Sequence, residues 1–285
     1  MNVTADVGSV GAVGSSSYVA GTGTYTLKGA GPDIAGTADA FRFTYKTISG
    51  DSQIIARVAT VQNTDTAAKG GVMIRESTAA GARHAMLVVT PSSGVQFSYR
   101  ASTGGATTTV TLASRTAPQW VKLIRTTTTK FTAYVSRDGT RWELVGTATI
   151  SMAASSLVGV CDTSKVTATL CTCTFDSVTA TAGTITDTQV PAAPTALAVS
   201  SKSDVTAILS WTAATDDVGI ASYDIYRNAV KVGSSAGTDQ TYVDSGLTGG
   251  TTYSYTIKSL DAAAKVSSAS TALPVTTNTN VLAPP

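Results

Sequence analysis

"GGVMIRESTAAGARHAMLVVT", residues 70–90, decides how the first half of the chain is read. It holds His84, the one histidine of the chain, within a few positions of Arg75, Glu76 and Arg83, the raw material of an acid–base site. It also divides into an apolar run VMIRES, a small-residue turn TAAGAR and a second apolar run HAMLVVT, the pattern of two strands and their connection. Successive side chains on a strand point to opposite faces, so Arg75 and Glu76 cannot serve one cleft. The strand reading is preferred and His84 is expected to be structural. What stays open is whether the face bearing Arg75 meets solvent, a sugar groove or another subunit.

The same texture extends outward in both directions. "DAFRFTYKTI" (39–48) alternates Phe41, Phe43 and Tyr45 with Arg42, Thr44 and Lys46, which predicts a half-buried strand with an aromatic core face. "SQIIARVATVQ", "GVQFSYRAS", "WVKLIRT" and "KFTAYVS" follow, separated by Gly, Ser and Pro. In "KFTAYVSRDGTRWELVG" (130–146), Asp138-Gly139 predicts a two-residue hairpin turn. No segment longer than about 10 residues carries a helical period. Around "GTITDTQVPAAP" (183–194) the pattern breaks, since prolines cannot donate to a central ladder and little there can be buried. Short strands then recur every 8–12 residues, as in a small sandwich.

The chain of 285 residues is long enough for two domains. It is 42% hydrophobic and only 13% charged, which excludes a disordered polyelectrolyte. Net charge is +2; through residue 186 there are 15 Lys+Arg against 10 Asp+Glu, and beyond it 5 against 8. Such scattered charge offers no basic stripe, so no nucleic-acid partner is expected. No run is long enough to insert in a membrane, and the N-terminus lacks the basic-then-apolar order of a signal peptide. Polar ends such as "TTNTNVLAPP" fray unless something holds them, so other copies or a partner assembly are expected to do so. Three cysteines, Cys161, Cys171 and Cys173, cannot all pair within the chain.

The second half resembles a fibronectin type III domain. The residues that carry the likeness are Pro194, Leu197 and Val199, then Leu209 and Trp211, then "YDIYR" (223–227), Leu247, Gly250, Thr251, Tyr253 and "YTIKSLD" from Tyr255. The resemblance implies that Trp211 is the core tryptophan and that the Tyr253 hydroxyl bonds back to main chain at a corner. One departure is "DAAAK" (261–265), where the family usually has a Gly-Asn turn. The first half is similar to concanavalin A-like jelly-roll modules of bacterial secreted and phage-encoded proteins. There the carriers are "ADVGSVGAVGSSSY", "DIAGTADAFRFTY", "GVMIRES", "RHAMLVVTP", "WVKLIR", "FTAYVSRDGTRW" and "TFDSVT". Such modules bind glycans, hydrolyse them or merely pack, so the fold does not settle the function.

A glycosidase would need two carboxylates across one cleft. The chain has only two glutamates, Glu76 and Glu143, in unrelated strands. No G-x-S-x-G elbow accompanies His84, and "SRDGTRW" lacks the spacer of the sialidase Asp-box. Glycan binding would use stacking platforms, for which Tyr99, Trp120 and Tyr134 are candidates with Arg100 adding hydrogen bonds; packing roles for the aromatics weigh about equally. Calcium is the natural ion for such folds, with Asp33 and Asp39 as weak candidates and Asp216-Asp217 in a later loop. If the strands around Val166 form a hairpin, Cys161 lies opposite Cys171 and a cross-strand disulfide is within reach.

The sequence therefore predicts an all-β protein of two tandem β-sandwiches: a jelly-roll domain over 1–182, a linker over 183–190, a fibronectin type III domain over 191–277 and a tail over 278–285. No cofactor is expected beyond a structural calcium. The leading expectation is a non-enzymatic, exterior-facing structural or adhesion protein, such as a phage virion decoration or fibre component with weak glycan binding. Its partners would be other copies, a capsid or fibre, or a cell-surface assembly, with polysaccharide as ligand. The competing expectation is a carbohydrate-binding accessory region of a secreted bacterial polysaccharide-degrading enzyme.

Overall fold

Residues 70–90 form two antiparallel strands, Lys69–Arg75 and His84–Val89, in register from Gly70↔Val89 to Arg75↔His84. They come from a computed structural model that describes residues 1–279; the expected tail lies outside the described residues from position 280. No α-helix occurs among those residues, and no helix is long and apolar enough to cross a membrane. The chain divides into two units: Met1–Gly139 with Val145–Ile185, and Thr140–Leu144 with the chain from Thr186 onward.

The first unit packs two seven-stranded layers. One orders Val3–Val7, Phe41–Ser49, Ser155–Thr163, Lys69–Arg75, His84–Val89, Val95–Arg100 and Thr108–Leu112. The other orders Ser15–Val19, Thr24–Gly29, Cys171–Ala182, Ser52–Val61, Gln119–Thr126, Lys130–Ser136 and Glu143–Thr149. Between them lies a core in which Leu27, Ile54, Val121, Phe131 and Phe175 of one layer meet Val72, Leu87, Phe97 and Val158 of the other, all fully buried. Removing such side chains from water contributes about 1.5–3 kcal/mol each.

The first layer is apolar on both faces. Phe41 and Phe43 point away from the main core and join Val7, Ile34, Met73, Met86, Val88 and Cys161 in a second buried cluster. The polar partners Arg42 and Thr44 instead point between the layers, where both reach Ser16 Oγ, at 3.1 and 2.8 Å, and Arg42 pairs with Asp6 at 3.3 Å. The expected half-buried strand with an aromatic core face is thus corrected. Alternation showed which residues share a face, and loops that the pattern does not encode cover the other one. Those loops interlock through main-chain bonds, Asp39 to Ala80, Gly104 to Gly81 and Thr107 to Gly36.

The hairpin around Asp138-Gly139 is longer than two residues. Its strands end at Ser136 and resume at Glu143, and Ser136 Oγ accepts from the amides of Asp138 and Gly139. Gly139, at φ +78°, lies against the Trp120 ring, and a Cβ there would sit 2.9 Å from the indole. Close approach to the tryptophan, as well as turn curvature, therefore requires this glycine.

The second unit sets a three-stranded sheet, Thr195–Lys202, Thr206–Thr212 and Thr241–Ser245, against four strands ordered Val230–Ala236, Ile220–Arg227, Thr252–Asp261 and Leu273–Thr276. Trp211 is buried, with its ring edge-on to Tyr223 at 5.3 Å, amid Leu209, Ile225, Tyr255 and Ile257. The Tyr253 hydroxyl accepts the amide of Thr248 at 2.9 Å, the corner bond that the resemblance implied.

Candidate functional site

The register places Arg75 opposite His84 and His84 opposite Arg100, so three strand ends present a cationic row on one face. The short strand pair Ile34–Ala35 and Ala38–Asp39 brings a carboxylate to that row. Asp39 Oδ1 accepts from Arg100 Nη2 at 2.7 Å; its Oδ2 accepts from Arg100 Nη1 at 2.7 Å and Arg75 Nη1 at 2.9 Å. All four residues are buried, the two arginines and His84 completely. Paired geometry of this kind is what lets guanidinium and carboxylate leave water together.

The remaining donors hold loops. Arg75 gives its Nε to the carbonyl of Ser77 and Nη2 to that of Ala79. Arg100 reaches the carbonyls of Gly105, Gly36 and Ala82 at 2.9–3.2 Å. Phe41 closes the cluster, with the Arg75 guanidinium 5.1 Å above its ring. Burial, reinforced by the two guanidinium charges, pushes the His84 pKa down to about 4. His84 is therefore neutral at pH 7, with Nδ1 3.4 Å from the carbonyl of Ala82. The face bearing Arg75 is neither solvent nor groove; it is closed by loops fastened to the arginines. Arg125 repeats the device, binding the carbonyls of Thr128, Met152, Ala153 and Ala154.

This placement corrects several expectations. Arg100 cannot reach a sugar, because its fork is spent on Asp39. Tyr134 does not face solvent: Lys122 pairs with it across the strands, its ammonium lies 5.0 Å from the ring centre, and Tyr134 is 1% exposed. Tyr99 packs against the main core beside Phe97, and Trp120 has Gly139 against its ring. The four residues form no common platform. Asp39 is consumed by arginines, and Asp33 accepts from Lys69 Nζ at 2.5 Å and Lys165 Nζ at 3.0 Å. Those ammonium groups lower the Asp33 carboxyl pKa, overcoming its partial burial, and already supply the positive charge that calcium would bring.

The cysteines are free thiols. Cys161 and Cys171 lie on strands of different layers, so the expected cross-strand bridge does not form. Asp162, Cys171 and Cys173 do converge in the interior. Cys173 Sγ lies 3.3 Å from Asp162 Oδ1 and 3.9 Å from Cys171 Sγ, while Asp162 Oδ2 accepts the Gly29 amide at 2.8 Å. Burial pushes the Asp162 carboxyl well above the usual carboxylate range and the Cys173 thiol up as well. The hydrogen bond from Cys173 pulls the Cys171 thiol the other way, down to about 7, and three donors fall short of a four-ligand zinc site.

The two glutamates do not form a carboxylate pair. Glu76 lies 3.7 Å from Arg83 and accepts the amide of Ala153, while Glu143 is buried and bonded to Gln240. In the second unit the structure gathers Asp187, Asp216 and Asp261, a grouping that sequence reasoning missed although Asp216-Asp217 drew notice. The available signal was the departure "DAAAK" at 261–265.

Chitinases and an exoglucanase among the curated relatives each match about a third of the chain. No protein-family model matches the chain. Chitinase Chi52 of Paenibacillus xylanexedens is 50% identical over 92 residues, 32% of this chain and 17% of that protein. Exoglucanase B of Cellulomonas fimi is 46% identical over 91 residues, 32% of this chain and 8% of its own. Chitinase A1 of Niallia circulans is 45% identical over 91 residues, 32% and 13% respectively. The matching regions are fibronectin type III-like, so the chain contains homologues of domains carried by such enzymes. The match spans less than a fifth of each of these relatives.

Proposed function

We propose that the chain is a non-catalytic accessory region of an extracellular bacterial polysaccharide-degrading enzyme, a tandem of β-sandwiches that spaces and supports a catalytic part. The observation that carries this reading is the kinship of a third of the chain to fibronectin type III-like regions of two chitinases and an exoglucanase. The virion-decoration expectation draws no such support, and the accessory reading displaces it. A concanavalin A-like identity for the first unit belongs to this proposal, supported by its two facing seven-stranded layers.

The absence of catalysis is supported by the two glutamates, each engaged elsewhere, and by a histidine sealed among arginines. The role of spacer rather than lectin is supported by the burial of Tyr134 and Arg100 and by the packing of Tyr99 and Trp120. The test incubates the purified chain with insoluble chitin, cellulose and starch. Expected are no release of reducing sugar and no retention on the polymers that Trp120→Ala abolishes. Sugar release would overturn the non-catalytic reading, and Trp120-dependent retention would restore the lectin.

A further inference from the structure

Three separate segments of the second unit bring carboxylates together. Asp187 comes from the segment entering the unit, Asp216 from the loop before Ile220–Arg227, and Asp261 from the end of Thr252–Asp261. One carboxylate oxygen of each lies within 4.8 Å of the others. Local main chain fixes two of them: Asp216 Oδ2 accepts the amides of Val218 and Gly219, and Asp261 Oδ1 those of Ala263 and Lys265. That leaves Asp216 Oδ1 and Asp261 Oδ2, both buried and neither with a hydrogen-bond partner. Asp261 itself is 3% exposed. An orphaned buried carboxylate oxygen costs free energy unless something positive meets it.

The chain supplies one cation nearby. The Lys265 ammonium donates to the Asp187 carboxylate and to the carbonyls of Asp187 at 2.7 Å and Gln189 at 3.0 Å. These bonds satisfy Asp187 but not the two orphaned oxygens. An open depression of about 360 Å³, lined by residues that include Gln189, Thr215, Asp216 and Asp217, leads to Asp216 from the surface.

We propose that Asp187, Asp216 and Asp261 form a calcium site, with the carbonyls of Asp187 and Gln189 as further ligands once Lys265 swings aside. All donors are hard oxygens contributed by two loop segments and a strand end, which suits an ion tolerant of irregular geometry better than octahedral magnesium. Lys265 acts as a tethered competitor, lowering affinity toward the range of extracellular calcium modules, roughly 10⁻⁴–10⁻³ M. This proposal stands independently of the accessory-region reading.

The test titrates CaCl2, and separately MgCl2, into the EDTA-treated and dialysed full chain by isothermal calorimetry. A saturable calcium isotherm is expected, with magnesium at least tenfold weaker. Asp261→Asn should weaken calcium binding about tenfold by removing one ligand charge, and Lys265→Met should tighten it. Far-UV circular dichroism checks each variant's fold; if Asp261→Asn fails it, Asp216→Asn and Lys265→Met carry the test. No saturable binding up to about 10 mM CaCl2 would overturn the site. So would binding undiminished by the carboxylate variants, or weakened by Lys265→Met.

Discussion

The two units solve one electrostatic problem in opposite ways. In the first, the buried carboxylate of Asp39 meets two guanidinium forks, and every oxygen has a donor. In the second, three carboxylates converge, the Lys265 ammonium meets Asp187, and two buried oxygens of the others are left without a donor. The difference teaches that burial alone does not mark a functional site. Arg75 and Arg100 are among the most buried polar residues of the chain and serve structure, because Asp39 and loop carbonyls take up their donors; His84 beside them is neutral, with Nε2 unbonded. The acidic group of the second unit is incomplete without a cation from outside.

The sharpest way to break the contrast is to strip Asp39 of its main partner. Arg100→Met leaves Asp39 Oδ1 without its guanidinium donor and Arg75 as the remaining ion pair, and should destabilise the first unit by about 3 kcal/mol. Urea unfolding followed by hydrogen exchange would locate the loss around residues 34–40 and 100–107. A neutral outcome would show that water enters the cluster.

Acid probes the same region. His84 has its pKa depressed to about 4, so below its unfolded value near 6.5 the unfolded chain takes up a proton that the folded chain refuses. The corresponding stability is fully present above pH 6.5 and is lost as pH falls toward 4, by about 3 kcal/mol. Chemical denaturation between pH 4 and 7 should show that slope, and His84→Gln should flatten it.

A smaller effect sharpens the other side of the comparison. In EDTA, Asp216→Asn should leave the second unit within about 1 kcal/mol of the unaltered protein, since the amide can donate toward Asp261 where a carboxylate cannot. Thermal unfolding with and without calcium checks this; a large loss in EDTA would mean that Asp216 is already satisfied. The least effect is expected of Tyr253→Phe, which removes only the bond from the Thr248 amide and should lower the unfolding temperature slightly.

Strand positions were legible because their β-branched and apolar alternation is local. The core roles of Trp211 and Tyr253 were legible through resemblance. Tyr134, Arg100 and Phe41 were misassigned for one shared reason: a period of two separates the faces of a strand and is silent on what covers each. Segments 31–40 and 77–82, whose apolar residues are mostly alanines, give no sign in sequence that they fasten to arginines on either side of the His84–Val89 strand. The acidic group of the second unit was illegible because its members are separated by 29 and 45 residues, and only the fold of the unit brings them together.

Hydrogen exchange of the full chain, compared in CaCl2 and in EDTA, tests the central contrast most directly. The account predicts that calcium slows exchange at residues 187–192, 215–219 and 261–265 and leaves residues 34–40, 75–84 and 100–107 unchanged. No calcium-dependent protection in the second unit, or equal protection in both clusters, would contradict it.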